Sequence, residues 1–210
     1  MGVCYIVGAG DFETPFVPSE SDLVIAADGG LSHLLNNRIR CDLAIGDFDS
    51  LGYIPEGVER IVFPPQKDFT DTALALFEGE RRGYKEFVIL GGTGGRADHT
   101  FANYSLLSEA RERGLFVRLV AKNSTALIIK NEKIRVKCDT GAHFSAFAFG
   151  GVASGVNILG LEYEARDIVI SPTCHIASCN IFDGRVAEVS VEDGKLLIFI
   201  ESENAKIKFV

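Results

Sequence analysis

Phe87-Val88-Ile89-Leu90-Gly91-Gly92-Thr93-Gly94-Gly95-Arg96-Ala97-Asp98-His99 runs from a short apolar segment through five near-consecutive small residues into a helix-like stretch that ends before Gly114. A buried strand, a glycine turn and a helix in that order form the repeating unit of an open α/β sheet. The pattern recurs on either side of it. Val3–Gly8, Leu23–Ala27, Leu43–Ile45, Arg60–Phe63 and Phe116–Val120 are further apolar runs, and helices are predicted at Gly30–Asn37, Thr70–Arg82 and His99–Arg113. Continuous apolar strands suit a mostly parallel sheet covered by helices on both faces. The last two helices stop at Gly83 and Gly114, where a left-handed residue is expected.

Beyond about Lys122 the pattern changes to short alternating segments: Thr125–Ile129, Lys133–Lys137, His143–Phe149, Asp167–Ile170, Arg185–Val191 and Lys195–Glu201. Asn131-Glu132 and Glu192-Asp193-Gly194 provide turn chemistry, the latter that of a tight hairpin joining the last two strands. The expected organisation is therefore an α/β domain over residues 1–122 and an all-β sandwich over residues 123–210.

With 47% hydrophobic and 24% charged residues the chain is an ordered globular protein. Its net charge of −8, from 29 acidic and 21 basic side chains, argues against nucleic acid or an anionic membrane as partner. It also means that a bound triphosphate needs local cations. The five cysteines are scattered without a CxxC pair, as expected of thiols in a reducing compartment. The first residues lack a signal-peptide layout and no apolar run reaches membrane-spanning length, so a cytoplasmic protein is expected.

Three loops carry the chemistry, each at the predicted C-terminal end of a strand, where open α/β sheets bind ligands. In Gly46-Asp47-Phe48-Asp49-Ser50, an extended backbone would put Asp47 and Asp49 on one side and Phe48 on the other; a polar turn explains the same residues equally well. In Lys67-Asp68-Phe69-Thr70-Asp71, either Asp68 or Thr70 can cap the following helix. Asp71 then remains to be explained, because two carboxylates 4 Å apart repel by roughly 4 kcal/mol at an effective dielectric of 20. The third, the glycine loop with Arg96, Asp98 and His99, offers backbone amides and a guanidinium to phosphate oxygens. It lacks the Gly-Lys-Ser/Thr ending of a P-loop. Asp28-Gly29-Gly30 reads first as a helix cap, Asn103 as a packing or surface group, and Gly8-Ala9-Gly10 as an incomplete dinucleotide fingerprint. Clustered carboxylates beside a glycine loop suggest metal-assisted phosphoryl chemistry.

As a set, Ala27-Asp28-Gly29-Gly30, Gly46–Ser50, Lys67–Asp71 and Gly94–His99 with Asn103 resemble the thiamine pyrophosphokinase family, and Gly160–Tyr163 with Ser178–Phe182 resemble its second-domain signatures. The resemblance implies Mg²⁺-dependent transfer of a diphosphoryl group from ATP to the thiamine hydroxyl by a homodimer. By that resemblance Asp47, Asp49 and Asp71 hold the metal, and Asp71, Asp98 and Arg96 are catalytic. Asp28, Gly29, Lys67, Asp68, Thr70, Gly94, Gly95 and His99 bind the nucleotide, while Ser178 and Asn180 contact thiamine. Cys179 and Ile181 stand where bacterial members carry Ser and Glu. That departure keeps open another alcohol acceptor, such as a hydroxymethylpterin; a binding module without turnover is a third reading.

Overall fold

The computed structural model describes residues 2–13, 15–48 and 57–210. They divide into two compact units, 1–121 and 122–210.

Unit 1 contains β1 (Cys4–Val7), β2 (Leu23–Ala27), α1 (Gly30–Asn36), β3 (Leu43–Gly46), β4 (Glu59–Val62), α2 (Asp71–Arg81), β5 (Glu86–Leu90), α3 (Ala97–Glu112) and β6 (Phe116–Ala121). The strands lie in the order β6-β5-β1-β2-β3-β4, and every neighbouring pair is parallel. Alternation along each strand divides the buried side chains between two faces. Val7, Val24, Ala26, Ala44, Val88 and Leu90 pack with Leu31 and Leu34 of α1. Cys4 and Phe87 point the other way, where Gly79 of α2 approaches so closely that a Cβ there would lie 2.6 Å from the Phe87 ring. Helices thus cover both faces, as the apolar runs predict. The chain proceeds outward from β1 to β4, then returns to place β5 on the other side of β1. The strand order reverses between β1 and β5, and a crevice forms at the C-terminal ends of the strands flanking such a reversal.

Unit 2 consists of β7 (Ser124–Lys130), β8 (Lys133–Lys137), β9 (His143–Ala148), β10 (Ala153–Leu159), β11 (Ala165–Ile170), β12 (Asn180–Ile181), β13 (Ala187–Ser190), β14 (Lys195–Ile200) and β15 (Lys206–Phe209). They form two antiparallel layers, β12-β9-β14-β7 and β11-β10-β13-β8-β15. The hairpin expected at Glu192-Asp193-Gly194 is absent: β13 and β14 belong to different layers, and so do β7 and β8. Both turns are corners where the chain changes sheet. They bind each other, Gly194 N donating to Asn131 Oδ1 at 2.9 Å and Asn131 N to Gly194 O at 3.3 Å. Gly194 has φ +106°, and a Cβ there would sit 2.5 Å from Val152 O, so the corner requires glycine. β10 does not show as a strand in the sequence pattern, because its Ser-Gly-Val-Asn stretch contains Gly155 at φ +62° and two register shifts against β11. The short β12 and the terminal β15 do not show there either. All five cysteines are unpaired thiols. No described helix is long and apolar enough to cross a membrane.

Candidate active site

A cavity of about 630 Å³ opens in unit 1 at the strand ends, lined by Asp28, Asp47, Lys67, Asp71, Arg96 and His99 among others. Asp28 follows β2 and Asp47 follows β3; Lys67 lies on the segment leading to α2, and Asp71 is the first residue of that helix. One carboxylate oxygen each from Asp28, Asp47 and Asp71 lies within 4.8 Å of the others.

The backbone is strained to achieve this. Asp28 takes φ +48° and Phe48 takes φ +59°. Such values are rare for a bulky side chain and persist only where packing enforces them. Phe48 is 2% exposed and belongs to the α1 core, which anchors the loop beside Asp47. The extended geometry expected at Asp47–Asp49 is therefore corrected: the chain turns left-handed at Phe48, although its ring is buried as anticipated. Asp49 itself falls outside the described residues. Asp28 is corrected too, because the N-cap of α1 is Gly29 and no side chain caps the helix. For α2 the cap is Thr70, whose Oγ1 accepts from Ala73 N at 3.2 Å, and not Asp68. Asp68 and Thr70 line the cavity all the same.

Lys67 is the cation among these acids. Its Nζ donates to Asp47 Oδ2 at 2.8 Å and lies 2.8 Å from Asp71 Oδ1, off the best hydrogen-bond direction. Burial pulls the ammonium down, but the Asp47 hydrogen bond and the charges of Asp47 and Asp71 outweigh it and hold Lys67 above its usual value. Burial pushes Asp71 up, against the pull of Lys67. Asp28 Oδ1 is buried with no hydrogen-bond partner among the described residues. Among the described residues one ammonium, Lys67, bonds or pairs with this cluster of three carboxylates, and the orphaned Asp28 oxygen is a place for further positive charge. This all-oxygen donor set fits a hard divalent cation.

A smaller cavity of about 220 Å³, lined by Ala9, Gly10, Gly91–Gly95, Arg96, His99 and Asn103, shares Ala9, Thr72, Arg96 and His99 with the first. It occupies the crevice between β1 and β5. Arg96 pairs with Asp98 at 2.6 Å, and that bond holds the exposed Asp98 carboxyl down at about 2. Gly94 and Gly95 have φ +82° and +61°, so the loop demands glycine there. Asn103, expected at the surface or as packing, is 6% exposed and reaches back to the loop, donating to Gly92 O at 2.7 Å. Gly8 and Gly10, discounted as a fingerprint fragment, extend the β1–β5 pairing past the strands through Gly8 N to Leu90 O and Gly10 N to Gly91 O, both 2.8 Å.

The remaining predicted residues lie in unit 2. Ser178 and Asn180 line a cavity of about 270 Å³ with Ile158, Tyr163, Glu164 and Ile176. Ser178 Oγ donates to His175 O at 2.7 Å. Asn180 is 5% exposed; its Oδ1 accepts from Tyr163 N and Ile181 N, and its Nδ2 donates to Tyr163 O at 2.7 Å.

The family described as thiamin pyrophosphokinase, catalytic domain, matches residues 17–119, which hold most of the carboxylate and glycine-loop positions. Over this stretch the chain is similar to the thiamine pyrophosphokinase family. It is 28% identical to the thiamine pyrophosphokinase of Bacillus subtilis over 164 residues, 75% of this chain and 74% of that one. A thiamin pyrophosphokinase of Caenorhabditis elegans is 24% identical over 203 residues, covering 86% and 79%. In three dimensions the crystal structure of a thiamin pyrophosphokinase family protein from Enterococcus faecalis superposes with a TM-score of 0.84 at 26% identity, over 96% of this chain and 99% of that one. The family match and these likenesses agree with an α/β unit followed by a β-sandwich. Asp28 is the residue whose part in the cluster sequence reasoning missed. Gly30 was the available signal: a Cβ there would lie 1.8 Å from Val7 O, so glycine is what lets the start of α1, just after Asp28, pack against the end of β1.

Proposed function

We propose that this chain transfers a diphosphoryl group from ATP to the hydroxyl of thiamine, giving thiamine diphosphate and AMP. The observation that carries the reading is the meeting of Asp28, Asp47 and Asp71 within 4.8 Å at the strand ends, beside a glycine-lined crevice of phosphate-binding character. In the reaction the thiamine oxygen bonds to the β-phosphorus, the bond from that phosphorus to the α,β-bridging oxygen breaks, and AMP departs with the electron pair. Asp28, Asp47 and Asp71, with Asp49 beside them in sequence, are the residues to hold Mg²⁺. When bound, that ion offsets charge on the triphosphate oxygens. Lys67 and Arg96 bring cations of the protein's own to the same oxygens, and Gly94, Gly95 and His99 border the phosphate path. Asp98 is tied to Arg96 and is a weak proton acceptor at about 2, so orienting the acceptor hydroxyl falls to Asp71. The reading extends to a cytoplasmic homodimer in which Ser178 and Asn180 serve the acceptor. Its support is the family resemblance.

The test is chromatographic: purified protein given ATP, thiamine and Mg²⁺ yields AMP and thiamine diphosphate in equal amounts. If AMP formation by Asp47→Asn matched the wild type, the carboxylate assignment would be wrong. A wild-type protein that turned over a pterin alcohol far faster than thiamine would change the acceptor and leave the phosphoryl chemistry intact.

A further inference from the structure

The glycine loop shows a regular division between its two kinds of backbone group. Three successive carbonyls are engaged by the protein: Gly91 O accepts from Gly10 N at 2.8 Å, Gly92 O from Asn103 Nδ2 at 2.7 Å, and Thr93 O from Asp11 N at 2.8 Å. The amides of Gly92, Thr93, Gly94 and Gly95 donate to no acceptor among the described residues. Gly92 is buried and Thr93 half-buried, so their unpartnered amides must meet water or ligand, while Gly94 and Gly95 are exposed. Successive amides left free in this way form a concavity for anions. Fixing the carbonyls is what aims the amides, because each peptide plane carries both groups rigidly.

Two of the three anchors come from the backbone of the Gly8–Asp11 segment and survive any side-chain change. The middle one depends on a single side chain. Asn103 is 6% exposed and projects from α3 across eleven positions of sequence to Gly92. Gly92 is packed too closely to carry a side chain: a Cβ there would lie 2.5 Å from Leu119 Cδ1, 2.9 Å from Ile89 Cγ2 and 3.2 Å from Asn103 Nδ2. The loop is clamped between the sheet and the amide.

The geometry points to Asn103 as a positioning residue for the nucleotide phosphates, acting through Gly92 without touching the reacting atoms. This rests on the reading of the adjoining cavity as an ATP site. Asn103→Leu keeps the branched shape and removes the donor, and Asn103→Asp places an acceptor against the Gly92 carbonyl. Both raise the KM for ATP about tenfold, roughly the loss of one well-made hydrogen bond, while the KM for thiamine stays within twofold. A residue needed only for packing would lower the yield of folded protein and leave the KM of the folded fraction unmoved. An ATP KM within twofold of wild type in either variant therefore overturns the inference. If Asn103→Asp fails to fold, Asn103→Leu carries the decision. Calorimetry with Mg²⁺ and a non-hydrolysable ATP analogue separates the two levels. A wild type that binds no analogue defeats the functional reading and the inference with it. Equal binding by wild type and Asn103→Leu defeats the inference alone.

Discussion

The cavity of unit 1 and the cavity of unit 2 treat their polar side chains in opposite ways. In unit 2, Asn180 spends its oxygen on two backbone amides and donates to a carbonyl, tying Tyr163 to the Ser178–Ile181 segment. In unit 1, Asp28 bears a buried oxygen with no partner among the described residues, on a backbone held at φ +48°. The first arrangement is what stability selects, and the second is costly unless something arrives to complete it. A buried polar group that is fully paired argues for structure; one left short argues for a ligand.

The largest effect expected from this contrast is on turnover. Asp71→Asn preserves the shape of the first turn of α2 but removes a charge from the cluster and from the partner of Lys67. AMP formation falls by at least about 10²-fold, with the melting temperature close to that of wild type. Undiminished turnover would mean that the convergence of carboxylates is incidental and that unit 1 is no more specialised than unit 2.

Stability reverses the ranking. Asn180→Ala strips partners from the amides of Tyr163 and Ile181 and from the carbonyl of Tyr163, at a cost of about 2–4 kcal/mol. Denaturant unfolding measures that directly. Should Asn180→Ala unfold like wild type while its KM for thiamine rises, Asn180 would be a substrate contact first, and the contrast between the cavities would fail.

Asp28→Asn sharpens the comparison further by separating stability from activity. Two charges no more than 4.8 Å apart repel by roughly 3.5 kcal/mol or more at an effective dielectric of 20, a repulsion that Lys67 offsets only in part. Asparagine tolerates a left-handed backbone well, so no new strain is introduced. In a chelator, Asp28→Asn is more stable than wild type by on the order of 1 kcal/mol, and the stabilisation that Mg²⁺ gives the wild type is diminished. A variant less stable than wild type in the chelator would show that the Asp28 carboxylate has a structural role after all.

How much of this could be read from the chain follows the same division. The parallel strands were legible because Leu23–Ala27 and Glu86–Leu90 are buried along nearly their whole length and so carry unbroken apolar runs. The helix ends were legible because Gly83 and Gly114 adopt positive φ where the helices stop. In unit 2, β10 was illegible: Gly155 and the register shifts around Val156 interrupt the alternation that announces a strand. The Asp193-Gly194 turn named the correct residues but not their use, because local turn chemistry does not state which sheet the next strand joins. At the site, residue types and their placement at strand ends were evident. Strain was not. Nothing local in Asp47-Phe48 announces a left-handed phenylalanine, since φ +59° there is enforced by the α1 core. Likewise, only the fold could bring Asp28 beside Asp71 or Asn103 beneath Gly92.

The smallest expected effect lies away from both cavities, on the outer side of α2, and tests the rule that complete pairing means structure. Glu78 accepts from Arg81 Nε at 2.6 Å and from Arg82 Nε at 2.8 Å, while Arg82 also reaches Glu59 on β4. The Arg81 bond foremost, and the Arg82 bond after it, hold the Glu78 carboxyl at about 2 against an ordinary 4.5. A depressed carboxyl stabilises the fold fully above its unfolded value and loses that contribution as the pH falls through the folded one. The window for Glu78 therefore runs from about 4.5 down to about 2. Converting the whole shift would overstate the effect, because Arg81 is 71% exposed and solvent screens the pair. Glu78→Gln costs about 1 kcal/mol at neutral pH, and its disadvantage against wild type shrinks as acid is added through that window. The difference between the two proteins cancels Asp98, which titrates at a similarly low pH in both. A disadvantage that stayed constant down to pH 2 would assign the loss to packing of the Glu78 stem, and pairing would then be a poor guide to what a polar residue does here.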